Sequence, residues 1–166
     1  MDLLNSLLIS TNGLSVGNIE KMARDIYKDL YLLPNKKHGI MQAHDNEDVY
    51  FAENRFEHAF YSTKDKPQAF SISKDKLAID RIERIKWIRE LVAGKVPNSE
   101  CWEIDQPSRP IARLYIAWSA NYIVWLEDSN EKGFKFSTAY PAQAPYIRKL
   151  CRGNKKIWNY KNINAP

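Results

Sequence analysis

The fold of this chain is decided by residues 110–140, which read PIARLYIAWSANYIVWLEDSNEKGFKFSTAY. Three segments in it are short and rich in β-branched and aromatic residues: PIARLYIAW, NYIVWLED and GFKFSTAY. Turn residues separate them. Connections this short join antiparallel neighbours, because parallel strands need long crossovers. With CWEI at residues 101–104 as the first strand, the pattern predicts a four-stranded antiparallel β-meander.

Helical patterns lie before and after these strands. Apolar residues recur every three or four positions in residues 16–32, between a capping Ser15 and a terminating Pro34. A stronger pattern predicts a helix over residues 75–93, and shorter helices are predicted near residues 53–61 and 145–151. This order predicts an α+β fold with N-terminal helices packed on one face of the meander and a short C-terminal helix. The other sheet face is expected to be open.

The length and composition indicate a single globular domain. The 166 residues contain 44% hydrophobic side chains and carry a net charge of +5, enough apolar surface for a core. Within it we distinguish an N-terminal helix and polar connector (1–50), helices (51–95), the sheet (100–141) and a basic C-terminal helix and tail (142–166).

Composition also excludes several classes of protein. There are six glycines and no G-x-G-x-x-G or G-x-x-x-x-G-K-[ST] run, so no phosphate-binding loop is predicted. Cys101 and Cys151 are too few for a disulfide framework and form no C-x-x-C pair, which predicts reduced thiols and a cytoplasmic location. Residues 1–10 are too short to span a bilayer, so no membrane contact is expected. No metal or cofactor is predicted.

The positive charge is concentrated at the C-terminal end. Residues 132–166 carry eight basic and no acidic side chains, whereas the preceding 131 residues have a net charge of −3. Basic charge interleaved with aromatic residues suits a polyanion whose bases can stack, although a solvated basic tail remains the alternative. The predicted phosphate-binding residues are Lys135, Arg148, Lys149, Arg152, Lys155 and Lys156. The predicted base-stacking residues are Trp158 and Tyr160.

Strand alternation sorts the candidate site residues by sheet face. It places Arg113 and Tyr115 on the open face, opposite the apolar Leu114 and Ile116. The last strand leaves two alternatives. Either its phenylalanines are in the core and Ser137 and Lys135 face outward, or a bulge before Thr138 turns Thr138 and Tyr140 outward.

Of the three histidines, only His58 has a neighbourhood that suits catalysis. His38 and His44 lie in the polar connector without metal-ligand spacing, and we expect both to be exposed loop residues. His58 lies in RFEHAF, between two phenylalanines. It can be plain packing or a general acid/base held near the sheet.

The order of these features resembles the metal-independent ribonucleases of the barnase/EndoU/colicin/RelE type, in particular their phage- and toxin-associated branch. The resemblance covers roughly residues 58–150 and is carried by RFEHAF, an arginine on a middle strand, and the ending FKFSTAYP. It implies that His58 is the general acid/base, that Arg113 binds phosphate, and that Ser137, Thr138 and Tyr140 form the hydroxyl-bearing end of the last strand.

The resemblance further implies a toxin that cleaves RNA, either tRNA or mRNA, and meets an acidic antitoxin or immunity protein. The chain departs from branches that have a second catalytic histidine or a glutamate on the sheet, because no histidine follows His58. Tyr140, Lys135 or the basic tail would then fill that role. The predicted reaction is attack of an RNA 2′-hydroxyl on phosphorus to give a 2′,3′-cyclic phosphate. The alternative is a non-catalytic nucleic-acid-binding or protein-interaction module that uses the same basic end.

Overall fold

The computed structural model describes residues 2–62 and 76–161. The helices in these ranges are α1 (Leu3–Ser6), α2 (Val16–Tyr31), α3 (Arg55–Phe60), α4 (Ile79–Ile82), α5 (Trp87–Val92) and α6 (Ala144–Cys151). The strands are β1 (His38–Gln42), β2 (Asp48–Ala52), β3 (Tyr61–Ser62), β4 (Lys76–Leu77), β5 (Ser99–Ile104), β6 (Ala112–Ala117), β7 (Tyr122–Asp128), β8 (Phe134–Pro141) and β9 (Lys155–Asn159).

Seven strands form one mixed sheet in the order β1-β2-β8-β7-β6-β5-β9, and β3 pairs with β4 in a separate small sheet. Neighbours in the large sheet are antiparallel, except that β2 and β8 are parallel. The class is α+β, but the prediction of a four-stranded antiparallel meander behind N-terminal helices is wrong. The four predicted strands are the middle of a wider sheet.

The two edge strands, β1 and β9, come from segments predicted as a polar connector and a tail. The predicted connector at residues 35–48 instead contains β1 and the turn into β2, where Asn46 adopts a φ of 65°. In β2, Val49 and Phe51 are buried and alternate with exposed residues. In β9, predicted as part of a tail, Lys155 and Lys156 are exposed. Edge strands bury little surface and tolerate lysine, so their apolar signal is weak.

One sheet face carries the main core. It packs against α2 through Ile19, Ala23, Tyr27 and Tyr31, which recur every fourth residue. The helix was predicted correctly, although its most buried stripe includes tyrosines. Both tyrosine hydroxyls donate to backbone carbonyls, that of Tyr27 to Ala52 at 2.7 Å and that of Tyr31 to Ile85 at 2.7 Å. These bonds allow the phenols to be buried.

The opposite sheet face is only partly open. Helix α6 covers β5, β6 and β7 there through a second core that contains Leu114, Ile116 and Ile147. The expectation that Arg113 and Tyr115 lie on an open face is wrong, because both are buried, at 8% and 0% exposure. They lie on the main-core face, so both faces of β6 are covered.

The prediction of one long helix over residues 75–93 is also wrong, because the segment is not a continuous helix. Position 75 lies outside the described residues, and the rest forms β4, α4, a stretch of turns and α5. Between the helices, the amides of Arg84, Ile85 and Trp87 bond to carbonyls three residues earlier. The buried residues Ile82, Ile85, Ile88 and Leu91 are three apart. That spacing fits three residues per turn better than 3.6.

Gly39 allows β1 to lie directly against the end of α2. A Cβ at this position would overlap the carbonyl oxygen of Tyr31. Any other residue would push the strand away from the helix, so the glycine fixes how the hairpin joins the sheet.

Within the described ranges, no helix has the length and apolar character needed to cross a membrane.

Candidate active site

A bulge in β8 determines which of its side chains reach the partly open face. Trp125 pairs with Thr138, but the next residue of β7, Leu126, pairs with Phe136, so Ser137 is the extra residue. Phe136 and Ala139 both pack in the main core. Lys135 before the bulge and Thr138 and Tyr140 after it therefore lie on the same face. The first alternative drawn from the sequence, with Lys135 facing outward, holds before the bulge. The second, with Thr138 and Tyr140 facing outward, holds after it.

His58 lies where two adjoining clefts meet on this face. Helix α3 follows β2 and packs beside β8, which places the exposed His58 in the lining of both clefts. We call them the tyrosine cleft, about 640 Å³, and the arginine cleft, about 520 Å³. The tyrosine cleft is lined by His58, Arg81, Thr138, Tyr140, Pro141, Ala142, Gln143 and Tyr146. The arginine cleft is lined by Arg55, His58, Gln106, Arg109, Pro110, Ala112, Glu127, Asp128, Asn130, Lys135 and Ser137.

Glu127 is the centre of a hydrogen-bond network in the arginine cleft. Arg55 contacts its Oε1 through Nη2 at 3.4 Å, and the hydroxyl of Ser137 donates to the same oxygen at 3.0 Å. Lys135 Nζ lies 4.0 Å from Oε2. Arg55 also donates to Ser137 Oγ at 3.1 Å and to the carbonyl of Phe136 at 3.3 Å. The bulge, α3 and β7 are thus held together around one carboxylate.

The tyrosine cleft presents hydroxyl groups. Tyr140 Oη accepts from Trp125 Nε1 at 3.1 Å and lies 3.5 Å from the hydroxyl of Tyr146. The guanidinium of Arg81 lies 5.0 Å from the centre of the Tyr140 ring. Burial and the bond to Tyr146 raise the pKa of Tyr140 to about 12. At neutral pH this phenol is protonated and can donate a hydrogen bond, but it is a poor base.

Arg113 is not brought to either cleft. Its guanidinium makes a two-point contact with Asp45, stacks 4.3 Å from the centre of the Phe134 ring and is 9% exposed. Burial raises the pKa of Asp45, but hydrogen bonds and charge from Arg113 outweigh this, and the pKa is below its ordinary value. Arg113 therefore has a structural partner on the main-core side of the sheet.

His44 is part of the same structural cluster, and the expectation of an exposed loop residue is wrong for it. Its Nδ1 lies 2.7 Å from the hydroxyl of buried Tyr115, and its ring packs 4.6 Å from that of Trp158. Burial lowers the pKa of His44. His38, by contrast, is exposed at the start of β1.

Most of the predicted phosphate-binding residues lie outside the clefts. Lys135 lines the arginine cleft, whereas Arg148, Lys149 and Arg152 are exposed on and after α6. Lys155 and Lys156 are exposed on β9, and Lys156 pairs with Glu100 at 3.1 Å. The predicted stacking residues are also elsewhere. Trp158 packs on His44, and the half-buried Tyr160 donates its amide to the carbonyl of Ser99 at 2.8 Å.

The structure adds site residues that the sequence interpretation missed. Arg55 precedes His58 by one helical turn, a spacing that places both on the same side of α3. Glu127 lies two residues after Trp125 on β7, so strand periodicity places both side chains on the same sheet face and could have indicated Glu127. No sequence pattern indicated Arg81 or Arg109 as site residues. Arg81 lies in α4, within the segment wrongly predicted as one long helix, and Arg109 lies in the β5–β6 loop.

The two thiols are buried, and burial raises the pKa of Cys101 to about 12 and that of Cys151 to about 11. Both are therefore weak nucleophiles at neutral pH. In residues 2–62 and 76–161, no group of three or more His, Cys, Asp or Glu side chains is placed to hold a metal ion.

Comparisons with protein-family models, with curated proteins and with solved structures found no match to this chain.

Proposed function

We propose that this protein is an endoribonuclease that needs no metal ion and cleaves RNA by attack of a 2′-hydroxyl on the adjacent phosphorus. The observation that carries the proposal is the position of His58 at the junction of the two clefts. One cleft supplies cations and a carboxylate, and the other supplies hydroxyl donors. Their sizes fall in the range of small-molecule sites, roughly 300–1,000 Å³.

The proposed reaction forms a bond between the 2′-oxygen and phosphorus and breaks the bond from phosphorus to the 5′-oxygen. One group must accept the proton of the 2′-hydroxyl, and another must give a proton to the departing 5′-oxygen. Glu127 is the candidate base, because Arg55 and Ser137 hold its carboxylate in the cleft. His58, as imidazolium, is the candidate acid. The products are a 2′,3′-cyclic phosphate and a 5′-hydroxyl.

The remaining lining residues suit the negative charge that develops on the phosphoryl oxygens. Arg55, Arg109 and Lys135 can contact the phosphoryl oxygens, a role that the sequence interpretation gave to Arg113. Thr138 and the protonated Tyr140 can donate hydrogen bonds from the other side. Donors fixed in advance around a developing oxyanion are typically worth a factor of about 100 or more each.

The charge of the arginine cleft also favours RNA. Three cations and His58 lie there with Glu127 and Asp128, and Glu127 is already paired with two of the cations. We propose tRNA or mRNA as substrate, a toxin-like role in the cytoplasm, and an acidic antitoxin or immunity protein that blocks the clefts through complementary charge.

The proposal is tested by incubating purified protein with tRNA and total RNA at low salt in EDTA. Wild type should cleave both, and His58→Ala and Thr138→Val should cleave at least about 100-fold more slowly. Arg113→Met serves as the control, because Arg113 lies outside both clefts, and it should keep its activity when folded. Intact RNA with the wild-type protein, or equal rates for His58→Ala, would refute the assignment.

A non-catalytic RNA-binding function is the second candidate. It is favoured by the exposed cations of α6 and β9, including Lys149 and Lys155, which lie away from His58. This function predicts salt-dependent binding without cleavage, and affinity that depends on Lys149 and Lys155 but not on His58.

A further inference from the structure

A row of side chains continues the arginine cleft across the β1–β2 end of the sheet. Ile40 of β1 pairs with Tyr50 of β2, Tyr50 pairs with Lys135 of β8, and Lys135 pairs with Glu127 of β7. Paired residues on neighbouring strands lie on the same sheet face. We call Ile40 and Tyr50 the Tyr50 platform. It begins one strand away from Lys135, a spacing of about 4.8 Å.

The platform is exposed and apolar. Ile40 is 46% and Tyr50 38% exposed, whereas Val49 and Phe51 on either side of Tyr50 are buried in the main core. Among the described residues, no side-chain hydrogen bond, ion pair or ring contact involves Tyr50. Ile40 and Tyr50 therefore form an exposed apolar pair next to the polar residues of the arginine cleft.

The charges beside the platform indicate what would cover it. Lys135 lies next to it, and Arg55 and Arg109 line the cleft beyond. The acidic neighbour on the other side, Asp48, is 19% exposed and is contacted by Gln42 at 2.6 Å and by Lys132 at 3.9 Å. An occupant that reaches from the cleft onto the platform therefore meets cations first and then an aromatic face. A nucleotide matches this order, because its phosphate can bind the cations and the base that follows can stack on the aromatic ring.

We infer that the Tyr50 platform binds an unpaired RNA base next to the cleaved nucleotide, with Lys135 on the phosphate between them. This inference rests on the proposed function, because it names the second nucleotide of the same substrate. Exposed aromatic rings bind bases of single strands by stacking, and they do so with little sequence preference. Paired bases present no free face, so the platform selects single-stranded RNA over duplex.

The experiment uses the full chain and a fluorescein-labelled, single-stranded oligonucleotide of 2′-O-methyl nucleotides, which lacks the attacking hydroxyl. Anisotropy measures its Kd at low salt. Tyr50→Ala should raise the Kd roughly 5- to 150-fold, the range for loss of one stacked base. Tyr50→Phe keeps the ring and should stay within about twofold of wild type. Leu14→Ala is the matched control, because Leu14 is 40% exposed outside the platform and both clefts, and it should leave the Kd unchanged.

A second measurement separates the platform from the reaction. With a cleavable oligoribonucleotide, Tyr50→Ala should raise KM and leave kcat near that of wild type. With a nucleoside 3′-(methyl phosphate), which keeps the attacking hydroxyl and the phosphate but has no second base, the effect of Tyr50→Ala should disappear. Equal Kd values for Tyr50→Ala and wild type overturn the platform as a base-binding site, even if wild type cleaves RNA. If Tyr50→Ala instead changes the oligomeric state measured by light scattering while the Kd is unchanged, the platform is a contact between copies of the chain and the inference is also overturned. Tyr50-dependent binding with no cleavage by wild type supports the platform and refutes the proposed ribonuclease. No binding by wild type overturns both.

Discussion

Arg113 donates two hydrogen bonds to Asp45, from Nη1 to Oδ1 at 3.1 Å and from Nη2 to Oδ2 at 2.7 Å. This pair joins a middle strand of the sheet to the turn between β1 and β2. Because Arg113 is nearly buried, and its Nε has no partner among the described residues, the guanidinium depends on Asp45 for compensation of its charge.

Asp45→Ala should therefore destabilise the fold. We expect the free energy of unfolding to fall by about 2–4 kcal/mol, because the variant leaves a buried cation without a counter-charge. Urea denaturation followed by tryptophan fluorescence measures this. Arg113→Met combined with Asp45→Ala should recover most of the loss, since a buried pair can often be replaced by apolar residues. An unchanged unfolding midpoint for Asp45→Ala would show that the pair carries no stability.

The same cluster predicts loss of stability in acid. Burial lowers the pKa of His44 below its ordinary value of 6.5, so the unfolded chain binds the proton first and stability declines as the pH falls below 6.5. The pKa of Asp45 is lowered, so its contribution is complete above the ordinary value of 3.8 and is lost as the pH falls through the folded-state pKa. Urea midpoints at pH 7.5 and 5 should differ for wild type and differ less for His44→Gln. The idea fails if His44→Gln has the same pH dependence as wild type.

How far the sequence predicted this fold depends on how apolar each segment is. Helix α2 follows from its apolar periodicity, and strands β6 to β8 follow from short runs of β-branched and aromatic residues between turns. Strands β1 and β9 were missed, since an edge strand such as β9 can expose Lys155 and Lys156 and still pair. Buried side chains three residues apart look like a helix in sequence, yet they form turns between α4 and α5.

The candidate site could also be predicted only in part from the sequence. His58 was chosen for its place in RFEHAF, and Lys135, Ser137, Thr138 and Tyr140 were chosen by residue type on the last strand. The structure places all five in the lining of the two adjoining clefts. Whether the last strand contained a bulge could not be derived from alternation. The interpretation of Arg113 failed because its partner, Asp45, lies in a hairpin that the sequence did not reveal.

The assignment of Glu127 as the base predicts a specific kinetic loss. Glu127→Gln keeps an oxygen for Ser137 and Arg55 but cannot accept the 2′-hydroxyl proton at neutral pH. Its kcat should fall by about 10²- to 10⁴-fold, measured with the oligoribonucleotide substrate at saturation. The matched control is Glu103→Gln, on β5 beside Lys155 and outside both clefts, which should cleave like wild type. A kcat of Glu127→Gln equal to that of wild type would assign the base elsewhere.

Salt dependence distinguishes the cleft from the C-terminal end as the place where RNA binds. Replacing Arg109 and Lys135 by Gln should reduce the slope of log Kd against log salt by about 1.4, for two lost contacts to a single strand. The same replacement at Lys155 and Lys156 should change the slope less, because those lysines lie on β9. The opposite ranking would move the binding surface to the basic end and favour the non-catalytic function.

Cleavage by 2′-hydroxyl attack is tested most directly with an oligonucleotide that has a single ribonucleotide in an otherwise 2′-O-methyl strand, incubated with wild type and His58→Ala in EDTA. Mass spectrometry of the products identifies their ends. Wild type should cleave only on the 3′ side of that ribonucleotide and leave a 2′,3′-cyclic phosphate and a 5′-hydroxyl, whereas His58→Ala should cleave little or not at all. An intact strand, cleavage at a 2′-O-methyl position, or equal cleavage by His58→Ala contradicts the proposed mechanism.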